Sequence, residues 1–99
     1  MKGRWLLGVA GVMAACSAGA QEAEVEAGAD IAARWCGICH VVEGAGSPTD
    51  AAPPLPTVAQ MRSDDYLRGF LANPHGNMPP IDLTTREIDQ LVAYLGSLR

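Results

Sequence analysis

The sequence predicts a small all-α domain, and three helix signals carry that prediction. The first is the run from Glu22 to Ile38, which opens with acidic residues that favour the positive end of a helix dipole. The second is a helix that Ser63 begins as N-cap and that Asn73-Pro74 ends. The third is a C-terminal stretch whose apolar residues recur at helical spacing up to Leu98. A chain of 99 residues is long enough for one such domain.

The first twenty residues have the composition of a secretory signal peptide. A basic start at Lys2 and Arg4 is followed by an apolar run and then by the small residues Ala18-Gly19-Ala20. The apolar run is too short to span a bilayer comfortably. We therefore expect a leader over residues 1–20 and a mature domain over residues 21–99, exported to the periplasm.

Cys16 gives this region two further interpretations. The segment Met13-Ala14-Ala15-Cys16 loosely resembles the lipobox of bacterial lipoproteins, although Met13 stands where leucine is usual. Acylation of Cys16 would anchor the domain to the membrane, facing the periplasm. The remaining possibility is an uncleaved anchor. Export places the product outside the cytoplasm, where free thiols would oxidise.

The charge of the predicted mature domain is strongly negative. All 11 acidic residues follow residue 20, where the basic residues are five arginines and no lysine, giving a side-chain charge of −6. Nucleic acid and anionic membrane surfaces are therefore not expected partners. The balance favours solubility, and it also suits steering towards a basic surface of a partner protein.

The segment Cys36-Gly37-Ile38-Cys39-His40 is the strongest chemical signal in the sequence. On a helix, Cys36, Cys39 and His40 fall within about 100° of one face. Thiols at this spacing can add to the two vinyl groups of a haem, and the adjacent histidine can bind the iron. We therefore predict one covalently attached haem c. A mature chain of this size has a marginal apolar core, which a haem at its centre would complete.

Three other interpretations of the two cysteines remain open. A redox dithiol of thioredoxin type calls for a preceding strand, which the sequence lacks. A zinc site calls for a second pair of ligands. The third interpretation is structural, with Cys36 and Cys39 buried beside a satisfied His40.

The stretch from Val41 to Arg62 is rich in glycine and proline, so we predict mostly loop with one helical turn over Thr57 to Met61. Prolines lack a backbone donor and leave carbonyl groups free. The carbonyl of Pro53 is therefore expected to accept the other ring N–H of His40, and Leu55 is expected to lie on the haem. The alternative is a plain turn.

The helix that follows Ser63 is predicted to bury a stripe of Leu67, Phe70 and Leu71. Tyr66 is interpreted as a packing residue, with a hydrogen bond to a haem propionate as the alternative.

Met78 is the second residue to which we assign chemistry. It lies in His75-Gly76-Asn77-Met78-Pro79-Pro80, where the following proline disfavours helix and leaves a flexible side chain free to be aimed. A thioether suits the sixth position of haem iron, and a His/Met pair raises the reduction potential. We predict Met78 as an axial ligand, with Met61 and His75 as competitors.

The last helix carries its own start signal. Thr84 and Glu87 form a capping box, and Leu83 and Ile88 occupy the flanking staple positions. The stripe predicted to be buried consists of Ile88, Leu91, Val92, Leu95 and Leu98.

This stripe needs a covering surface, and the small residues of the first helix provide one. Gly28 and Ala32 let a second helix approach the backbone closely. We therefore expect Leu91 and Tyr94 to cross the first helix near these two residues.

With these residues identified, the mature chain resembles the small single-haem class I c-type cytochromes over nearly its whole length. The match is carried by Gly28, the C-x-x-C-H segment, Pro53-x-Leu55, Asn77-Met78-Pro79 and Leu91-x-x-Tyr94-Leu95. The resemblance implies a cytochrome c fold of three main helices around one haem, with His40 and Met78 as axial ligands. It also implies one exposed haem edge for electron exchange.

Two departures from this family pattern stand out. Ala32 stands where many relatives have an aromatic residue, so we expect a looser crossing or one filled by Trp35. The lysine ring that mitochondrial-type relatives use for docking has no counterpart, so those partners are not carried over.

The function implied is a monomeric single-electron carrier between extracytoplasmic redox proteins, and not an enzyme. The alternative is a cytochrome c subunit of a periplasmic dehydrogenase complex. A gas-binding or peroxidatic haem would need an open iron position, which Met78 argues against.

Overall fold

The structure, a computed structural model, describes residues 19–44 and 52–99. Within these two ranges the chain forms four helices and no strand: α1 over residues 19–31, α2 over Leu55–Met61, α3 over Asp64–Ala72 and α4 over Thr85–Ser97. The all-α prediction is therefore confirmed. The predicted lipobox and residues 1–18 of the predicted signal peptide lie outside the described residues, as do residues 45–51 of the predicted loop.

One continuous apolar core holds the helices together. α4 is the central element, because both α2 and α3 pack against it. On α1, a Cβ added to Gly28 would overlap the backbone carbonyl of Gln90 and lie 2.8 Å from the Cβ of Tyr94, so α1 also lies directly on α4. The buried residues of this core are Ile31, Ala32, Cys36, Leu55, Ala59, Leu67, Leu71, Ile88, Leu91, Val92, Tyr94 and Leu95. The predicted crossing of Tyr94 at Gly28 is confirmed.

The two N-caps predicted at Ser63 and Thr84 are both present. The hydroxyl of Ser63 accepts a hydrogen bond from the backbone N–H of Tyr66 at 3.2 Å and begins α3. The capping box of α4 is complete, since Glu87 N–H donates to the Thr84 hydroxyl at 3.1 Å and Thr84 N–H donates to the Glu87 carboxylate at 2.9 Å.

Two predicted helix boundaries were wrong. α2 begins at Leu55 and not at Thr57, because a proline in the first turn of a helix loses no intrahelical hydrogen bond, and Pro56 occupies that position. The first helix is α-helical only to residue 31 and continues as a π-helical turn over Ala32–Cys36. The wider turn then gives way to hydrogen-bonded turns and not to further α-helix.

One predicted packing role was also wrong, and one of the two alternatives for the crossing at Ala32 is excluded. Phe70 is only half-buried, because α3 packs through Leu67 and Leu71 and leaves Phe70 at the edge of the stripe. Trp35 is 52% exposed, so it lies at the rim and does not fill the crossing beside the fully buried Ala32.

Arg99 fastens the corner between α2 and α3 to the end of α4. Its guanidinium donates to the carbonyls of Ala59 and Arg62, each at 2.8 Å, and to the carboxylate of Asp64 at 2.7 Å. The carbonyls belong to the last turn of α2 and its C-cap, where intrahelical donors run out. This corner fixes the position of α2, which begins within the proline-rich segment Pro53-Pro54-Leu55-Pro56. Across residues 19–44 and 52–99, no helix is long and apolar enough to cross a membrane.

Candidate functional site

The C-x-x-C-H segment begins at the π-helical turn of α1. Gly37 N–H donates to the carbonyl of Ala32 at 3.0 Å and closes the wide turn. The carbonyl of Cys36 then accepts two hydrogen bonds, from Cys39 N–H at 3.1 Å and from His40 N–H at 2.8 Å. The second of these is an α-type bond, so His40 lies one helical turn beyond Cys36, as the sequence spacing predicts. π-helical turns inside helices are often found at functional sites.

Gly37 makes this turn possible. A Cβ at this position would lie 2.9 Å from the carbonyl oxygen of Ala33, a separation that real side chains essentially never show. A side chain at position 37 would therefore require the backbone of this turn to shift.

The two cysteines occupy different environments and are not joined by a disulfide. Cys36 is 8% exposed and belongs to the core, whereas Cys39 is exposed. Burial raises the pKa of the Cys36 thiol. Both thiols lie at the C-terminal end of α1, where the helix dipole disfavours an anion. Redox dithiols need a thiolate of lowered pKa, so these features do not favour the dithiol interpretation.

The ring of His40 is oriented by a backbone carbonyl. Its Nδ1 lies 2.6 Å from the carbonyl oxygen of Pro53, which is the contact expected from the sequence. A carbonyl can only accept, so Nδ1 carries a hydrogen, and in the neutral imidazole Nε2 is then the nitrogen with the lone pair. The nitrogen left available is therefore one that can bind a metal.

A second hydrogen bond supports the same arrangement. Leu55 N–H donates to the carbonyl of Val41 at 2.9 Å, which ties the residue after His40 to the residue that begins α2. The side chain of Leu55 is buried in the same core as Cys36. The proline-rich segment is thus more than a plain turn, because its Pro53 carbonyl orients the imidazole and its Leu55 side chain is part of the apolar core.

Met78 and Met61 differ sharply in burial. Met78 is partly buried and packs against the core that contains Cys36 and Leu55. Met61 is 69% exposed at the end of α2. A loop with Gly76 at φ +75° leads into Met78, and this left-handed conformation favours glycine. Met78 therefore packs against the core, whereas most of the Met61 side chain is exposed to solvent.

His75 is held by an aromatic contact three residues before Met78. Its ring meets the ring of Phe70 edge-on at a centroid distance of 4.8 Å. Phe70 in turn stacks on Tyr66 at 6.1 Å, and the guanidinium of Arg62 lies over the Tyr66 ring. This aromatic row extends along the exposed side of α3.

These residues provide the donor set that a haem c needs. Two thiols can form thioethers, an imidazole of fixed tautomer can offer Nε2, and the thioether side chain of Met78, on a separate loop, packs against the core that contains Cys36. The donors fit this group. Over the described ranges, no three or more His, Cys, Asp and Glu side chains cluster as ligands for a bare metal ion.

Sequence reasoning missed one contact close to His40. The hydroxyl of Tyr94 donates to the carboxylate of Glu43 at 2.9 Å, although the two residues are 51 positions apart. Burial, the hydrogen bond to Glu43 and its charge raise the pKa of Tyr94 to about 12, with a smaller contribution from Cys36. The sequence carries no local pattern for this pair, because the carboxylate is on the loop and its donor is on α4.

Comparisons with known proteins indicate the family of the chain. A family model described as cytochrome c oxidase, cbb3-type, subunit III, matches residues 23–95. A protein named cytochrome c-552, from Bradyrhizobium diazoefficiens (strain JCM 10833 / BCRC 13528 / IAM 13628 / NBRC 14792 / USDA 110), is 39% identical over 90 residues. The matched region covers 88% of this chain and 86% of that protein. No solved structure matched the chain significantly.

Proposed function

Because the chain belongs to the small single-haem c-type cytochromes, we propose that it carries single electrons between extracytoplasmic redox proteins through a haem bound by His40 and Met78. Family membership establishes the coarser part of this statement, an electron-carrying haem protein with covalently bound haem c. The axial ligands, the partners and the compartment are the finer part, and they are argued below.

The observation that carries the proposal is the hydrogen bond from His40 Nδ1 to the Pro53 carbonyl. It fixes the ring tautomer, directs Nε2 away from the backbone and makes that nitrogen a better donor to a metal. Surface histidines have no need of such a fixed partner. An imidazole prepared in this way, directly after two cysteines, is what an axial ligand of a covalently held haem requires.

The two thiols have separate roles in attachment. Each thiol would add across one vinyl group, so that its sulfur bonds to one vinyl carbon and its hydrogen goes to the other. Cys36 would bring its thioether into the core, while Cys39 would hold the more exposed side. The connection would keep the group in place when the small domain opens transiently.

Met78 supplies the second proposed ligand. Its partly buried position against the core suits a side chain that closes the site, and its thioether favours a raised reduction potential. The haem, when bound, supplies one-electron exchange at iron. Leu55 and the core around it exclude water, which limits the solvent rearrangement that accompanies a change of charge.

No substrate pocket is needed for such a carrier, and we propose no catalytic role for the chain. The proposed docking surface is the exposed haem edge, used by a monomer in small, transient interfaces. The net charge of −6 after residue 20 supports partners with basic surfaces. The proposed compartment is the periplasm, with a lipid anchor facing it if Cys16 is acylated.

The experiment that tests the ligands starts from expression in a compartment that attaches haem c. We expect a coloured product whose reduced pyridine spectrum shows both vinyl groups saturated. The oxidised protein should show the weak long-wavelength band of Met–Fe ligation. Met78→Ala should abolish this band, while Met61→Ala, which alters an exposed methionine, and His75→Ala should retain it. A band that survives Met78→Ala but not Met61→Ala would reassign the ligand, and a colourless, compact product would refute the proposal.

The alternative is a cytochrome c subunit of a periplasmic dehydrogenase complex. The matching family model is itself described as an oxidase subunit, which favours considering assembly with larger partners. Size measurement of the chain purified from its native source separates the two. A free carrier elutes as a monomer, whereas a subunit elutes with a stable partner.

A further inference from the structure

The residues that follow His40 are held from two sides. On one side, the Pro53 carbonyl binds the His40 ring at 2.6 Å and Leu55 N–H binds the Val41 carbonyl at 2.9 Å. On the other side, Glu43 accepts the hydroxyl of Tyr94 from α4 at 2.9 Å. The segment from His40 to Glu43 is therefore fastened to two elements distant from it in sequence.

Tyr94 is a rigid point of attachment. It is 3% exposed, and its Cβ lies against Gly28, where there is no room for even one added carbon. The ring of Tyr94 is packed in the core, and its hydroxyl reaches the loop that carries Glu43. A buried hydroxyl normally needs a hydrogen-bond partner. The hydroxyl is protonated at ordinary pH and can donate, and burial, followed by the hydrogen bond to Glu43, moves its pKa further away, to about 12.

Glu43 is well suited as the other half of the contact. A carboxylate that accepts from a hydroxyl makes a stronger hydrogen bond than a neutral acceptor does. Gly44 follows it at φ +97°, so the chain turns away immediately after the contact. Glu43 is exposed and lies three residues after His40, so its contact with Tyr94 ties this stretch of chain to α4.

We propose that Glu43 and Tyr94 form a positioning pair that fixes the orientation of the His40 ring and thereby helps to set the reduction potential. This inference rests on the proposed function, because it takes His40 as an iron ligand. The pair acts in two separable ways. The hydrogen bond restrains the loop that carries the imidazole, and the negative charge three residues from the ligand favours the more positive, oxidised state.

Four variants of the holoprotein separate these two effects. Tyr94→Phe removes the donor and keeps the charge. Glu43→Ala removes both acceptor and charge. Glu43→Gln keeps an acceptor oxygen and removes the charge. Tyr66→Phe is the matched control, since Tyr66 is an exposed tyrosine on α3 that stacks through its ring.

The measurements are the proton NMR resonances of the His40 ring in the oxidised protein, which the iron shifts strongly, and the reduction potential. Tyr94→Phe and Glu43→Ala should displace the ring resonances, and the double variant should displace them no further than one of them alone. Glu43→Gln should leave the resonances near their wild-type positions while raising the potential. Tyr66→Phe should match the wild type in both measurements.

A purely structural contact would behave differently. If Tyr94→Phe lowered the melting temperature but left the ring resonances and the potential unchanged, the positioning role would be overturned while the proposed function stood. If the wild-type holoprotein showed no iron-shifted imidazole resonance, His40 would not be a ligand, and the proposed function would fail together with the positioning role.

Discussion

On α1, Gly28 lies so close to Tyr94 of α4 that a Cβ at position 28 would be 2.8 Å from the Cβ of Tyr94. The same atom would meet the carbonyl carbon of Gln90 at 2.7 Å. One obstacle is a backbone atom and the other is the first atom of a buried side chain, so neither can rotate out of the way. The contact between α1 and α4 therefore depends on the absence of a side chain at position 28.

Replacement of Gly28 by alanine should consequently destabilise the holoprotein. Overpacking a tight contact costs about 1–3 kcal/mol, which outweighs the gain of up to about 1 kcal/mol from replacing a helical glycine. Gly69→Ala is the matched control, because Gly69 lies in α3 with open space around it. We expect urea unfolding to show Gly28→Ala below the wild type and Gly69→Ala at or above it. Equal stability of the two variants would contradict the packing described here.

Local signals predicted the parts of the fold that are decided locally. The N-cap at Ser63 and the capping box of Thr84 and Glu87 each depend on residues three positions apart, so the sequence carries the whole interaction. The contact between His40 and Pro53 is less local, but donor chemistry and the family resemblance together indicated it.

The features missed from the sequence are those that side-chain spacing does not record. A π-helical turn over Ala32–Cys36 adds one residue to a backbone ring without changing which residue types are present. Phe70 has the helical spacing of Leu67 and Leu71, but it is only half-buried. Its ring contacts the ring of His75 at the edge of the packed surface. Whether each residue of an apolar stripe is buried depends on how much of the stripe the neighbouring element covers.

The Arg99 guanidinium gives a second prediction, because it supplies donors to three acceptors at once. Arg99→Ala should lower the free energy of unfolding by about 1–2 kcal/mol, since two carbonyls at the end of α2 lose a charged donor. Arg99→Lys should recover little of this, because an ammonium group lacks the planar fork that reaches separate acceptors.

Arg86 is the control for this effect. Its side chain is 79% exposed and pairs with Glu24 at 3.6 Å, a surface contact of the kind that contributes little. Arg86→Ala should change stability by less than about 0.5 kcal/mol in the same denaturant titration. Full recovery by Arg99→Lys would show that charge alone, and not the shape of the guanidinium, stabilises the corner.

Glu87 gives a prediction about acid. Its hydrogen bond from the backbone N–H of Thr84 holds the pKa of this carboxyl below its usual range, with help from the Thr84 side chain and the charge of Arg34. A carboxyl whose pKa is lowered by folding stabilises the protein above its unfolded pKa and loses that contribution as pH falls through the folded value. The wild type should therefore be more stable than Glu87→Gln near neutral pH, and the difference should shrink as pH drops below about 4. Urea titrations of both proteins across this range measure it, and a constant difference would mean that folding does not lower the pKa of this carboxyl.

The contact between Tyr94 and Glu43 predicts the opposite pH dependence, in which stability is lost as pH rises. Burial, the hydrogen bond to Glu43 and its charge raise the pKa of Tyr94 from 10.0 to about 12, while the smaller contribution of Cys36 would disappear once its thiol is a thioether. A tyrosine whose pKa is raised by folding contributes stability below the unfolded pKa, and this is lost as pH rises through the folded value. Wild-type stability should therefore fall between about pH 10 and 12, and the stability of Tyr94→Phe should fall less over the same interval.

Ultraviolet titration follows the ionisation of the Tyr94 phenol, and denaturant unfolding at each pH gives the free energy of unfolding. Ionisation of Tyr94 near pH 10 with no accompanying loss of stability would mean that its hydroxyl does not hold Glu43.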